Sequence, residues 1–179
     1  MGGFFMQSRT IETTRFLLTP VLLADQDIIF AGLSNPQVIQ YYGVSYTGFA
    51  ETSAQMEFYA RHQKNNTGEF WMVSDKKSGQ RLGVFGAYNF SSDHRKLEIG
   101  YWLLPQYWRK GVAREVLPAF LKKTQEIFPV HRIEAWVETG NEASMRLLES
   151  ADFKREGILV DTEIKNGHYI SLIIYALLV

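Results

Sequence analysis

The chain of 179 residues has no cysteine. That excludes disulfides, thiolate metal sites and a cysteine nucleophile in one step. Histidine is scarce: His62, His94, His131 and His168 are scattered, and no two share the i, i+4 spacing of a helical metal pair. Neither sign of charge is in excess, with 19 Lys and Arg against 19 Asp and Glu. No general attraction to nucleic acid or to an anionic membrane follows from that balance. No apolar run is long enough to span a bilayer. The opening MGGFFM lacks the cationic start and long apolar run of a signal peptide, and Met6 stands where myristoylation wants Ser or Thr. These absences point to the cytoplasm, to no metal, and to no nucleic-acid or membrane partner. Residues 1–10 read as a flexible tail.

What is present suits one packed domain over residues 11–179, with 46% hydrophobic and 14% aromatic residues. Arg15 to Thr19 suits a first strand, and helical stretches follow at Ala24 to Leu33, Pro36 to Tyr42 and Glu51 to Gln63. Phe70 to Ser74 and Leu82 to Phe90 form a hairpin across Lys76-Lys77-Ser78-Gly79. Lys96 to Leu103 is the next strand and Val112 to Ile127 a helix, in which Pro118 predicts a bend or a weakened turn. Arg132 to Val137 alternates like a strand, and Asn141 caps a helix from Glu142 to Ser150. Phe153 to Val160 and Tyr169 to Leu178 close the order. Only the central strand–helix–strand unit needs a parallel crossover. The fold class is therefore α/β: one mixed, mostly antiparallel sheet.

The segment KLEIGYWLLPQYWRKGVA, Lys96 to Ala113, carries the most chemistry. A strand feeds a helix through Arg109, Lys110 and Gly111. The first amides of a helix lack intrahelical partners, and its dipole favours an anion there. Glycine lets the backbone approach a ligand closely. The same turn in isolation also suits a plain solvated helix start.

Taken with its surroundings, the chain resembles the GNAT superfamily of acyl-CoA-dependent N-acyltransferases, and within it the branch of ribosomal-protein N-terminal acetyltransferases. The likeness rests on IETTRFLLTP, on Ser34-Asn35-Pro36 with Val38 and Tyr41, and on EIGYWLLPQYWRKGVARE. It continues through His131 to Ala135, Asn141 to Glu149 and Phe153 to Gly157. The chain departs from the pattern at Trp108, where Gln or Arg is usual, at Asp152, at Ser171 and at Leu159-Val160. The resemblance implies helices on both faces of the sheet, with its one parallel strand pair splayed apart to admit acetyl-CoA. It also implies an amine acceptor, either a protein N-terminus or a small molecule, and a monomer or homodimer.

Acyl transfer to an amine needs a held donor, a neutral amine, an oxyanion donor and a proton for the leaving thiolate. The resemblance assigns the donor's diphosphate to Trp108, Arg109, Lys110, Gly111, Val112 and Ala113, and its pantetheine arm to the backbone of Trp102, Leu103 and Leu104. An amide near Trp102 or Leu103 is the oxyanion donor. Asn141 and Ser144 complete the donor site, with Ser144 as general acid. Glu98 shares a strand face with Gly100 and Trp102 and is the candidate base; Asp93, Glu134 and Glu138 are weaker options. Tyr41, Phe49, Trp71 and Tyr88 are candidates for the acceptor pocket. A non-catalytic acyl-CoA-binding module is the alternative reading.

Overall fold

The structure, a computed structural model, describes residues 9–179. The expected tail falls outside the described residues up to residue 8. Its last part is tied down: the carbonyl of Arg9 accepts from Trp71 Nε1 at 2.5 Å, and its guanidinium pairs with Glu69.

Eight strands form one sheet: β1 (Ile11–Glu12), β2 (Phe16–Pro20), β3 (Glu69–Asp75), β4 (Arg81–Ser91), β5 (Lys96–Leu103), β6 (Arg132–Glu138), β7 (Lys154–Lys165) and β8 (His168–Leu178). Their order is β1-β2-β3-β4-β5-β6-β8-β7, antiparallel except between β5 and β6. Helices α1 (Gln26–Leu33), α2 (Pro36–Ile39) and α3 (Ser53–Lys64) share a hydrophobic cluster with Val84 and Trp102 on one face of the sheet. Helices α4 (Val112–Ile127) and α5 (Glu142–Glu149) pack on the other face, against Phe85, Leu97, Ile99 and Ile133. Among the described residues, no helix is long and apolar enough to cross a membrane.

Helix α4 shows why the sequence folds this way. Val112, Val116, Leu117, Phe120, Leu121 and Thr124 are buried, and their spacing puts them on one face. Fully burying a side chain such as Phe120 stabilises the fold by about 1.5–3 kcal/mol. The helix runs through Pro118 without a break, because Pro118 lies on the exposed side and water can serve the carbonyl it leaves unpaired. It stops at Phe128, which is extended as the residue before Pro129 must be.

The parallel ladder positions the site. It pairs Lys96 with Arg132, Leu97 with Ile133 and Glu98 with Glu134, and nothing beyond. Strand β5 continues to Leu103 and β6 to Glu138 without each other. The sheet forks there.

Candidate active site

Backbone groups at the fork can be assigned by alternation. The amide of Leu104 bonds Leu82 O at 2.8 Å, and the β4–β5 register runs unbroken from Gly83–Leu103 to Tyr88–Glu98. In an antiparallel ladder every second residue turns its N–H and C=O to the partner strand. Leu104, Trp102 and Gly100 therefore face β4, while Tyr101 and Leu103 face the fork. The Leu103 carbonyl is taken by the Trp108 indole N–H at 2.7 Å. The N–H groups of Tyr101 and Leu103 and the carbonyl of Tyr101 line the gap.

Next comes the turn into α4. The Trp108 amide is spent on Pro105 O, but the amides from Arg109 to Arg114 have no acceptor among the described residues. Arg109 (φ 58°) and Gly111 (φ 73°) are both left-handed, and alternation of that kind gathers successive N–H groups into a concave anion nest. Arg109 adopts this conformation against its steric preference, which glycine does not pay. The Gly111 carbonyl accepts from the Glu115 amide at 3.1 Å and starts the helix, whose dipole adds to the field at the nest.

On the α4–α5 face, the Asn141 side chain caps α5 by accepting from the Ser144 amide at 3.2 Å. Ser144 Oγ lies 2.7 Å from the Tyr101 hydroxyl. The Tyr101 ring stacks on Phe85 at 5.1 Å. Burial pushes the Tyr101 hydroxyl up to about 12, against a smaller opposing effect of Ser144. Tyr101 thus keeps its proton at neutral pH and can donate it to Ser144.

The opposite face of β5 carries Glu98, Gly100 and Trp102. Glu98 Oε1 accepts from Asn89 Nδ2 at 3.1 Å, and no described cation pairs with it. The weaker candidates differ. Glu134 is held by Arg132 at 2.6 Å and Lys96 at 3.7 Å, and Glu138 is held by Lys165. Tyr88, opposite Glu98 in the ladder, stacks on Phe70 at 5.9 Å. Burial first, then the negative charge of Glu98 and more weakly of Glu163, raises its hydroxyl well above the usual tyrosine range. The Lys165 ammonium also donates to Gln40 O at 2.5 Å, and Tyr41 next to it lies against Gly140, just before Asn141. The loop after α2 is thereby tied to β7 and to the turn between β6 and α5.

A family model for an acetyltransferase (GNAT) domain matches residues 15–154. The chain belongs to the GNAT acetyltransferases. An uncharacterized N-acetyltransferase, YoaA, of Bacillus subtilis (strain 168) is 33% identical over 158 residues, covering 88% of this chain and 89% of that one. The fold is similar to spermidine N-acetyltransferase from Vibrio cholerae, solved with CoA and spermine (TM-score 0.82, 24% identity, 92% of this chain and 96% of that chain). It is also similar to RimL, a ribosomal L7/L12 α-N-protein acetyltransferase solved with CoA (TM-score 0.85, 18% identity, 95% and 98%).

Within this GNAT domain the turn carrying Arg109, Lys110, Gly111, Val112 and Ala113 adjoins the Leu103 end of β5 through Trp108, and Ser144, with its capping Asn141, meets β5 at Tyr101. Two expectations need correction, at the main chain of Trp102 and Leu104 and at the Trp71 ring. The main-chain groups of Trp102 face β4, and Leu104 gives its amide to Leu82 O while its carbonyl accepts from the Tyr107 amide, so neither offers free groups to a donor in the gap. Trp108 spends both its amide and its indole N–H on neighbouring carbonyls and braces the turn. Trp71 is fully buried, edge-on to Phe120, in the core beneath α4. Phe49 packs edge-on against Phe30 of α1 at 6.0 Å. Tyr101, whose hydroxyl meets Ser144, was not among the candidate site residues read from the sequence. The pointer was its place two residues before Leu103, on the strand edge that the fork frees.

Proposed function

We propose that this GNAT protein transfers the acetyl group of acetyl-CoA directly to a primary amine. The fork carries the reading, because it leaves strand amides without a strand partner beside a nest of unpartnered helix-start amides. The fit of the group to these residues rests on that unspent hydrogen-bonding capacity: a diphosphate is the multiply charged anion such a nest accepts.

When bound, acetyl-CoA supplies a thioester open to attack by an amine. The amides of residues 109–114 hold its diphosphate, with charge-assisted contacts from Arg109 and Lys110. The free N–H and C=O of Tyr101 would align the pantetheine arm, and the Leu103 N–H would face the thioester carbonyl oxygen as charge develops there. Ser144 would protonate the leaving sulfur and take a proton in turn from Tyr101, which solvent then restores. Glu98, on the other side of the strand, takes the proton of the incoming amine. It suits that role because no described cation competes for it.

The acceptor is a cationic amine, a protein N-terminus or a small amine such as a polyamine. Two features support this: the carboxylates Glu98 and Glu163 act together on Tyr88, and neither has a described cationic partner. The test is CoA release with a panel of amines, alongside CoA titration by calorimetry. Turnover with amines but not with alcohols is the expected result. Binding without turnover on any amine would mark a regulatory acyl-CoA module instead.

A further inference from the structure

We propose that Arg15 is a positioning residue for the donor's diphosphate, acting on the nest from 95 residues away in sequence. The inference rests on the acetyl-CoA reading above.

Arg15 leaves the β1–β2 turn and meets the start of α4 through three groups. Its amide donates to Glu115 Oε1 at 2.8 Å, its Nε to Glu115 Oε2 at 2.6 Å, and its Nη1 to the carbonyl of Lys110 at 3.1 Å. Thr13 Oγ1 adds a bond to Glu115 Oε1 at 2.8 Å. Glu115 thus fixes the guanidinium, and the guanidinium fixes the Lys110 carbonyl.

That carbonyl decides where the nest points. The Lys110–Gly111 peptide is trans, as every described peptide bond is, so its C=O and N–H point in opposite directions. Holding the carbonyl on Arg15 turns the Gly111 N–H outward, among the free amides. The Arg15 Nη2 lies 3.4 Å from where a side-chain carbon at Gly111 would sit, so the cation also rests against the left-handed turn. A strained pair such as Arg109 and Gly111 persists only when its surroundings determine it. Arg15 does so from the α4 side, as the Trp108 indole does from the β5 side. Lysine, with a compact ammonium, cannot reproduce the planar fork that reaches both acceptors.

The test compares wild type with Arg15→Gln, Arg15→Lys and Glu115→Gln. Calorimetry with CoA is set beside a chemical-shift titration with pantetheine, which lacks the diphosphate. Arg15→Gln is expected to weaken CoA by about 10–100-fold, the range for a lost hydrogen bond to a charged group, while pantetheine affinity stays unchanged. Arg15→Lys recovers part of the loss, and Glu115→Gln lies between wild type and Arg15→Gln. A purely structural role would weaken both ligands alike. Equal loss for CoA and pantetheine, or undiminished CoA binding in Arg15→Gln, overturns the proposal. Should Arg15→Gln fail to fold, the ratio of the two affinities in Arg15→Lys and Glu115→Gln decides by the same criterion. If wild type itself binds neither CoA nor adenosine 3′-phosphate 5′-diphosphate, the donor reading falls and the proposal with it.

Discussion

The two faces of β5 differ in how they are built. On the α4–α5 face the groups are main-chain amides and two hydroxyls, each set at or beside a regular element: the nest at the start of α4, Ser144 by the α5 cap, Tyr101 by the strand. On the other face stand Glu98 and Tyr88, and Tyr88 packs against the same hydrophobic cluster as Tyr42 and Tyr46 of the irregular stretch that follows α2. Regular backbone can present the same contacts to a constant ligand. On the function proposed above, a loop held by scattered bonds such as Lys165 to Gln40 O and Tyr46 N–H to Leu33 O is where an acceptor could change without disturbing the donor. The lesson is a division of labour across a single strand.

The strongest way to break this comparison is Gly111→Asp. A side chain is strained at φ 73°, and its carboxylate would oppose the diphosphate, so CoA binding should fall by at least about 100-fold in calorimetry. Unchanged affinity removes the nest from the donor side. Next, Ser144→Ala should cut turnover by about 100-fold with donor affinity intact. Tyr101→Phe keeps the ring on Phe85 and should cost less, and the double variant should not be additive if the two hydroxyls act as one relay. Additive losses would separate them. Glu98→Gln tests the far face. It should lower kcat/KM for the amine, most at low pH where fewer amines are neutral, and leave CoA affinity alone. A pH–rate profile matching wild type would discard Glu98 as base.

Smaller effects sharpen the boundary between site and core. Trp71→Leu should lower stability by about 2–4 kcal/mol, because a buried ring is lost, while the KM for the amine stays put. A KM shift at full folding would return Trp71 to the acceptor wall. The smallest effect concerns Glu115. Burial opposes its ionisation, but hydrogen bonds from Arg15 and Thr13 outweigh burial and hold its carboxyl below the ordinary value. A lowered folded-state value gives stability that is present above the unfolded value and lost as pH falls through the folded one. Melting temperature should therefore drop less on acidification in Glu115→Gln than in wild type, read by thermal denaturation across that window.

The sequence was most legible where one rule acted alone. Strand Lys96–Leu103 and helix Val112–Ile127 have the limits that alternation, the glycine and the two flanking prolines set. Strand β7 runs to Lys165, well past Val160, because two irregularities, after Arg155 and after Leu159, break the alternation that would have marked it. The start of α3 slips from Glu51 to Ser53 because a short 3₁₀ turn, Ala50–Thr52, precedes it. At the site, the glycine turn and the Asn141 cap could be read from local chemistry. Arg15 could not, since its partners Lys110 and Glu115 are set beside it by the sheet order. Trp71 was misplaced for a related reason: an aromatic in a strand gives no sign of which helix will cover it.

A parallel ladder only three residues long has a mechanical meaning. Strands β1–β5 form one plate and β6–β8 another, and between the plates main-chain pairing spans little more than one short seam. Side-chain packing under α4, through Leu117 and Phe120, carries most of the joint. Such a seam leaves the width of the slot to side-chain packing and not to the hydrogen-bond ladder.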